Sequence, residues 1–531
     1  MNRLATFDIF DTVLIRRCGR PEMIFEMLAR MLFPYDEAMR EAFVLWRRRA
    51  EADARQHMKG DVSLFDIYAS IDPSFLSEIG SVDRLMNAEK TVEAENLIAN
   101  PAIRTRISER RAAGWQIAFV SDMYLDSNFL HDLLMREHCA EPADKVFVSC
   151  EHAARKDNGL LYDVVRAELH PEEWEHCGDN RFSDLKMAKR KGIKAVKADT
   201  TFTAAELFVV HSDKHLSSHS MTELASLSRV QRLAYNNNPF DVFAADFVAP
   251  AYVPYVLFVL RKAQAKGIRR LYFLSRDSYV LLQAAKAVSV HFSDIELRYL
   301  FVSRRALYLP YLAELSEKKY LAVQNHHTIL RQSVDVLLTQ LATNRQELLD
   351  NFGITFDYSR ITTRKQERDF LDKLFRGSYA PVLRQRAMNA EELVVAYFRQ
   401  EGLFDTHISC AAVDVGWLGT SRLMMNSILK RHGATSLSFF YYGVRNDVFP
   451  PSAGRYRSFF RADELSTETT GLIENYYSAS PYPTTIGYRQ ETNGRITPVY
   501  PEGKHFEESE IIRANCSAVA DMAAEVMRTN I

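Results

Sequence analysis

The chain has 531 residues, 47% of them hydrophobic and 25% charged, with a formal net charge of -1. That length exceeds what one hydrophobic core organises and calls for two or three domains, while the balanced charge gives no hint of a nucleic-acid partner, and none is expected. Six cysteines, Cys18, Cys139, Cys150, Cys177, Cys410 and Cys516, show no C-x-x-C pair or zinc spacing, and MNRLATFDIF runs into a strand without a leader pattern, so a reducing cytoplasm is expected.

In chain order, the first apolar run ends at Asp8 in FDIFDTVL, which begins at Phe7. From Cys18 to Asn100 the period becomes helical, as in MIFEMLARMLF and EAMREAFVLWRRRAEADAR, and reads as an insertion. Its triplet Arg47, Arg48, Arg49 is expected on a solvated helix face, with contact to an anionic substrate as the sharper alternative. A second strand, in FVSDMYL, ends at Ser121; Lys156 follows in ARKDNGLLY; and GDNRFSD supplies Asp179 and Asp184. Carboxylate, hydroxyl, amine and carboxylate pair, each near a strand end, belong together at the carboxyl edge of a parallel sheet. That set suits metal-assisted phosphoryl transfer.

These four segments, in this order over roughly the first 200 residues, resemble the haloacid dehalogenase (HAD) superfamily of phosphatases. The resemblance implies an α/β Rossmannoid domain over residues 1–205 with a helical cap at about 19–100. It implies that Asp8 is the nucleophile and that Mg²⁺ is held by Asp8, the Phe10 carbonyl, Asp179 and Asp184. Ser121 would donate to phosphate oxygens, and Lys156 would keep Asp8 ionised and stabilise developing charge. One departure is Phe10, two residues after the nucleophile, where phosphatases of the family place an acid/base; Asp11 is the substitute in reach by sequence. Dehalogenases also lack a carboxylate there, which leaves carbon–halogen chemistry as the competing reading, below phosphatase because Asp11, Asp179 and Asp184 together suit a metal site.

The polar stretch DKHLSSHSMTELASLSR from Asp213 marks an inter-domain join, taken as 206–240, before a second α/β domain over 241–531. No run of about 18 apolar residues occurs, the nearest being FVAPAYVPYVLFVL from Phe247, so no transmembrane segment is expected and membrane contact would be peripheral. The strand in RRLYFL ends in Ser275, Arg276, Asp277 and Ser278, and FVSRRALY places Arg304 and Arg305 after another. A helical insertion at about 311–399 is expected as a hood; its neighbouring His326 and His327 would diverge on a helix and read as surface residues. The strand SCAAVDV ends at Asp414 and leads through Gly416, Trp417, Leu418, Gly419, Thr420 and Ser421 into RLMMNSIL. Glycines there permit close backbone approach, and a helix start favours an anion. The C-terminal aromatic region, RADELSTETTGLIENYYSASPYPTTIGY, is expected as a packed tail, with glycan stacking as the alternative.

The later loop is similar to the signature of type I phosphoribosyltransferases, with Asp414, Gly419 and Ser421 matching and Val413 and Leu418 departing. The resemblance implies that this loop grips the 5-phosphate of phosphoribosyl pyrophosphate and that the turn with Ser275, Arg276 and Asp277 holds the pyrophosphate, Arg276 supplying bidentate donors and Asp277 reaching the metal or the ribose. The bland reading is a Rossmann-like accessory domain with a tight glycine turn. Chemically the halves fit: transfer leaves a 5-phosphoribosyl group on the acceptor, and a phosphatase on the same chain removes that phosphate. The pairing resembles bacterial enzymes that build ribofuranose into O-antigen or capsule, with a lipid-linked glycan as the expected acceptor at the inner face of the membrane. A phosphatase with a scaffolding second half is the alternative.

Overall fold

The computed structural model describes residues 2–57, 61–69, 71–198, 202–211, 219–235, 238–324, 328–445, 453–463 and 465–528. His326 and His327 lie outside these residues, as does the start of the polar stretch from Asp213. The chain forms two compact units, one running to Asp246 and joined by Arg528, the other Phe247–Met527. Residues 206–240, expected as a join, take in most of the helix Ala204–His211 and all of His219–Ala234, both on the first unit's side of that division.

The first unit is built on β1 (Arg3–Phe7), β4 (Gln116–Ser121), β5 (Lys145–Val148), β6 (Glu173–Gly178) and β7 (Lys194–Lys197), all parallel, in the order β5-β4-β1-β6-β7. β1 is central, and its side chains alternate between two cores: Ala5 and Phe7 enter one, Leu4 the other with Ala118 and Val120. Phe7 pairs with both Phe119 and Cys177, so the residues just beyond them share one edge.

A two-stranded antiparallel stem, β2 (Leu14–Arg16) with β3 (Leu97–Ala99), carries five helices between its strands among the described residues. In the helix Glu37–His57 the inward face is Phe43, Arg47 and Ala50. Arg47 is therefore neither a solvated residue nor open to an anionic substrate: it is fully buried, with Nε and Nη2 on the Glu89 carboxylate at 2.9 and 2.7 Å and its guanidinium 4.4 Å from the Phe25 ring. The Tyr68 hydroxyl donates to the same carboxylate. Helical spacing from Phe43 turned position 47 inward, and Glu89 on another helix neutralises it. Arg49 alone of the triplet is exposed.

The second unit has β8 (Arg270–Leu274), β9 (Glu296–Leu300), β10 (Cys410–Asp414), β11 (Ser438–Val444) and β12 (Tyr456–Arg461), again all parallel, in the order β12-β11-β10-β8-β9. The winding reverses between β8 and β10, where the loops leaving neighbouring strands diverge and open a crevice. Among the described residues, six α-helices from Arg304–Tyr311 to Ala380–Gln400 separate β9 from β10 in sequence and supply much of one core cluster. A hairpin, β13 (Gly487–Gln490) with β14 (Ile496–Val499), packs on the last of them, Tyr488 stacking on Tyr397 at 4.6 Å. The C-terminal residues thus include a packed helix, Glu510–Arg528, and this hairpin. Pro239–Ala265 is continuous helix and meets the length and hydropathy of a membrane span, longer than the apolar run read from sequence because residues 239–246 and 261–265 extend it at both ends. Within it Tyr252, Val256, Val259 and Leu260 are core residues.

Candidate active sites

At the carboxyl edge of the first sheet, ligand atoms of Asp8, Asp179 and Asp184 lie within 4.8 Å of one another. Lys156 Nζ donates to Asp8 Oδ1 at 2.5 Å and to Asp184 Oδ1 at 2.7 Å, and it is 3% exposed. Lys156 reaches this point because its backbone N–H is fixed by Asp122 Oδ1 at 2.8 Å. Asp184 is seated by the backbone N–H of Asn180 at 3.0 Å, and Asn180 also caps the turn Arg181–Met187. Gly178 leaves the space: a Cβ there would stand 2.5 Å from the Asp184 carboxyl carbon. Ser121, 2% exposed, ends β4 on the same edge.

Sequence reading missed three groups. Thr12, inside the first motif, places its hydroxyl 3.2 Å from Asp8 Oδ2 and 3.3 Å from Asp179 Oδ1, so one proton serves either carboxylate. His176 presents Nε2 to Asp184 Oδ1 at 3.3 Å and Nδ1 to Thr6 Oγ1 at 2.9 Å, while the Thr6 oxygen accepts from Trp174 Nε1 at 2.9 Å. This chain of donors assigns the proton to Nε2 in the neutral ring. Burial lowers the pKa of His176 despite Asp184. Arg229, from the helix His219–Ala234, brings Nη2 to 3.7 Å from Asp11 Oδ1, opposite Arg16 Nη1 at 4.0 Å from Oδ2. A distant helix gives no local motif by which to find it. Asp11 itself has a left-handed backbone (φ 54°) and a 37% exposed side chain. Phe10, whose carbonyl the resemblance adds to the ligands, has its ring 4.5 Å from the Arg16 guanidinium.

Three carboxylates here share one ammonium. Burial pushes Asp8 up to about 8 against the pull of Lys156, with Asp184 and Asp179 adding to the rise. Burial and the neighbouring Asp11 and Asp184 push Asp179 up to about 6. Asp184 goes the other way: burial opposes it, but Lys156 and His176 hold it well below the usual carboxylate range. Burial works against the Lys156 charge, yet Asp8 and Asp184 keep its pKa well above the usual value. The donor set is oxygen-only and short of positive charge, which fits a hard divalent cation such as Mg²⁺.

In the second unit a cavity of about 630 Å³ opens between the β8 and β10 loops. Ser275, Arg276 and Asp277, which follow β8, line it; so do Asp414, Gly416, Gly419, Thr420 and Ser421 from the end of β10 onward. Ser278 Oγ ties the two loops by donating to the Val413 carbonyl at 2.9 Å. The helix Thr420–Arg431 starts after Gly419 (φ 76°) with no side chain capping it, and its first residues, Thr420 and Ser421, line the cavity. Gly416 (φ 137°) has no room for a side chain, since a Cβ would lie 2.0 Å from the Gly443 carbonyl oxygen. Arg304 and Arg305 line the same cavity. Burial, reinforced by Asp277, pushes Asp414 up to about 7. Trp417 and Glu474, not anticipated together from sequence, meet through Nε1 and Oε1 at 2.8 Å.

No protein-family model and no curated protein matches the chain. Among solved structures it is similar to the HAD-hydrolase YfnB of Bacillus subtilis bound to magnesium, at 16% identity over 39% of this chain and 97% of that one, with a TM-score of 0.27. It is similar to L-2-haloacid dehalogenase from Xanthobacter autotrophicus with chloropropionic acid covalently bound, at 13% identity over 42% and 87%, with a TM-score of 0.29. A candidate phosphoglycolate phosphatase from Lactobacillus delbrueckii subsp. bulgaricus matches at 14% over 43% and 99%, with a TM-score of 0.23. At these TM-scores the likeness stands as a resemblance, and the chemistry rests on the geometry above.

Proposed function

We propose that the first unit is a Mg²⁺-dependent phosphomonoester hydrolase and the second a phosphoribosyltransferase. Together they would transfer 5-phosphoribosyl from phosphoribosyl pyrophosphate to a hydroxyl of a lipid-linked glycan and then remove the 5-phosphate, leaving ribofuranose. The place would be bacterial O-antigen or capsule synthesis at the cytoplasmic face of the membrane. The observation that carries the hydrolase reading is Lys156 joined to both Asp8 and Asp184, with Asp179 beside them.

In the hydrolytic step an Asp8 oxygen attacks phosphorus and the bond to the leaving oxygen breaks, giving an aspartyl-phosphate that water then cleaves to regenerate Asp8. Lys156 balances charge on the phosphoryl oxygens, Ser121 donates to them, and Asp11 supplies the leaving oxygen with its proton. Mg²⁺, held by Asp8, Asp179, Asp184 and the Phe10 carbonyl, would neutralise the transferring group. Three clustered carboxylates favour this over carbon–halogen cleavage, for which a metal cluster has no use. The transferase reading is supported by the loops after β8 and β10 lining one cavity, with Arg276, Arg304 and Arg305 among its residues.

The test incubates the protein with phosphoribosyl pyrophosphate, Mg²⁺ and a panel of methyl glycosides and follows pyrophosphate and phosphate. The expected result is that Asp8→Asn accumulates a phosphorylated glycoside while Asp414→Ala makes none. Phosphate release from simple monoesters with no pyrophosphate from any acceptor would leave a hydrolase with a non-catalytic binding half. Halide release from 2-haloacids in place of phosphatase activity would overturn the hydrolase assignment.

A further inference from the structure

The second sheet has another edge, and cations gather there. A pocket of about 410 Å³ lies at the amino ends of β11 and β12, whereas the cavity described above opens at the carboxyl ends of β8 and β10. Lys266, Arg455 and Arg457 line the pocket together with Ser438, and no carboxylate lines it. The three cations are exposed, so a solute can reach them.

Two separate periodicities bring the charges together. Arg455 and Arg457 lie two apart at the start of β12 and share one side of the strand. Lys262 lies in the helix Ala249–Ala265, and Lys266, four residues on, is its C-cap, so the two share one helix face. Among the described residues, none of these four side chains is engaged in a hydrogen bond or ion pair. Burial lowers the pKa of Lys266, and the charges that add to this effect are all of its own sign: Arg457, Arg455 and Lys262. The carboxyl end of a helix favours one nearby cation, which accounts for Lys266 but not for the arginines beside it. Like charges on adjoining elements repel until an anion enters between them.

The walls are held by backbone contacts. Asn426 Nδ2 donates to the carbonyls of Leu437 and Ala453 at 3.1 and 3.0 Å, and its Oδ1 accepts the Leu437 N–H at 2.8 Å. Gly454 (φ 111°) lets the chain pass this amide, since a Cβ there would stand 2.1 Å from Nδ2. The next carbonyl, that of Arg455, accepts the Phe439 N–H at 3.0 Å. The backbone that carries Arg455 and Arg457 is thereby fixed before any ligand arrives.

We infer that this pocket binds a phosphoryl-bearing anion of at least two negative charges, at a place separate from both candidate active sites. Two guanidinium forks with a lysine and a hydroxyl match the several oxygens of such a group, and the volume falls in the range of about 300–1,000 Å³ usual for small-molecule sites. The inference does not draw on the transferase reading. A soluble phosphate ester and a phospholipid headgroup offer the same chemistry, and the test separates them.

The experiment uses the full chain in EDTA at low salt, with Arg276→Gln present throughout to weaken anion binding in the other cavity. The pocket variant adds Lys266→Gln, Arg455→Gln and Arg457→Gln. A comparison variant adds instead Lys286→Gln, Lys318→Gln and Arg384→Gln, exposed positions of the same unit, and so removes equal charge. Inorganic pyrophosphate is titrated by calorimetry, and co-sedimentation is measured with vesicles of equal parts phosphatidylglycerol and phosphatidylcholine. Pyrophosphate is expected to bind the parent saturably, the pocket variant at least about tenfold more weakly, and the comparison variant within about twofold of the parent. Vesicle binding lost in the pocket variant alone, with no saturable pyrophosphate binding, also supports the site and assigns its phosphate to a lipid headgroup. Equal losses in the two variants overturn the inference and leave a solvated basic face, as does a parent that binds neither probe.

Discussion

Lys156 is the residue on which the hydrolase site turns, because it is the single ammonium among three carboxylates and is itself buried. Replacing it by Met leaves Asp8 and Asp184 facing each other without a counter-charge. Lys156→Met is expected to lower kcat on p-nitrophenyl phosphate by about 10²-fold or more, the scale of losing one fixed charge-stabilising donor, checked by steady-state kinetics. At Asp414 the consequence concerns stability. Its carboxyl is raised to about 7 by burial and Asp277, against about 3.8 when unfolded. Between those values the native protein holds a proton that the unfolded chain has released, so stability falls as pH rises from about 4 to 7. Asp414→Asn should therefore raise the unfolding midpoint at pH 8 by a few degrees and leave it nearly unchanged at pH 4, as followed by calorimetry.

At the scale of elements, strand ends and the turns after them set the chemistry. Gly178 ends β6 where Asp184 folds back onto it, so Gly178→Ala is expected to displace Asp184 and weaken Mg²⁺ binding at least tenfold, measured by calorimetry. The cap helices carry the other sensitive contact. Arg47→Leu leaves the fully buried Glu89 unpaired and is expected to cost about 3–5 kcal/mol in urea unfolding. Adding Glu89→Leu should recover much of that, since an apolar pair of similar volume replaces a buried ion pair at little cost. The polar identity of position 47 suggested solvent, while its spacing from Phe43 and Ala50 pointed inward. Spacing won because a carboxylate on another helix was there to receive it.

For the whole molecule, each unit holds its own sheet and its own strand-edge site. Ligands that bind only the native state raise its apparent stability, so Mg²⁺ should raise the midpoint of the unfolding step that Asp8→Asn alters, and phosphoribosyl pyrophosphate the step that Asp414→Ala alters. Scanning calorimetry of both variants checks this, and a single shift common to both ligands would count against separate sites.

Much of this organisation is local and therefore written in the chain. Apolar runs ending in Asp8, Ser121 and Asp179 specify parallel strands and their edge, and Gly416, Gly419 and Asp414 specify a tight anion-facing turn, because backbone freedom and alternation act over a few residues. Contacts between distant segments were decided only by packing. The burial of Arg47 on Glu89, the approach of Arg229 to Asp11, the Thr6–His176–Asp184 chain and the meeting of Trp417 with Glu474 each join residues whose separation in sequence carries no signal. A charge tolerates burial only where a partner arrives from elsewhere, and only the folded chain brings that partner.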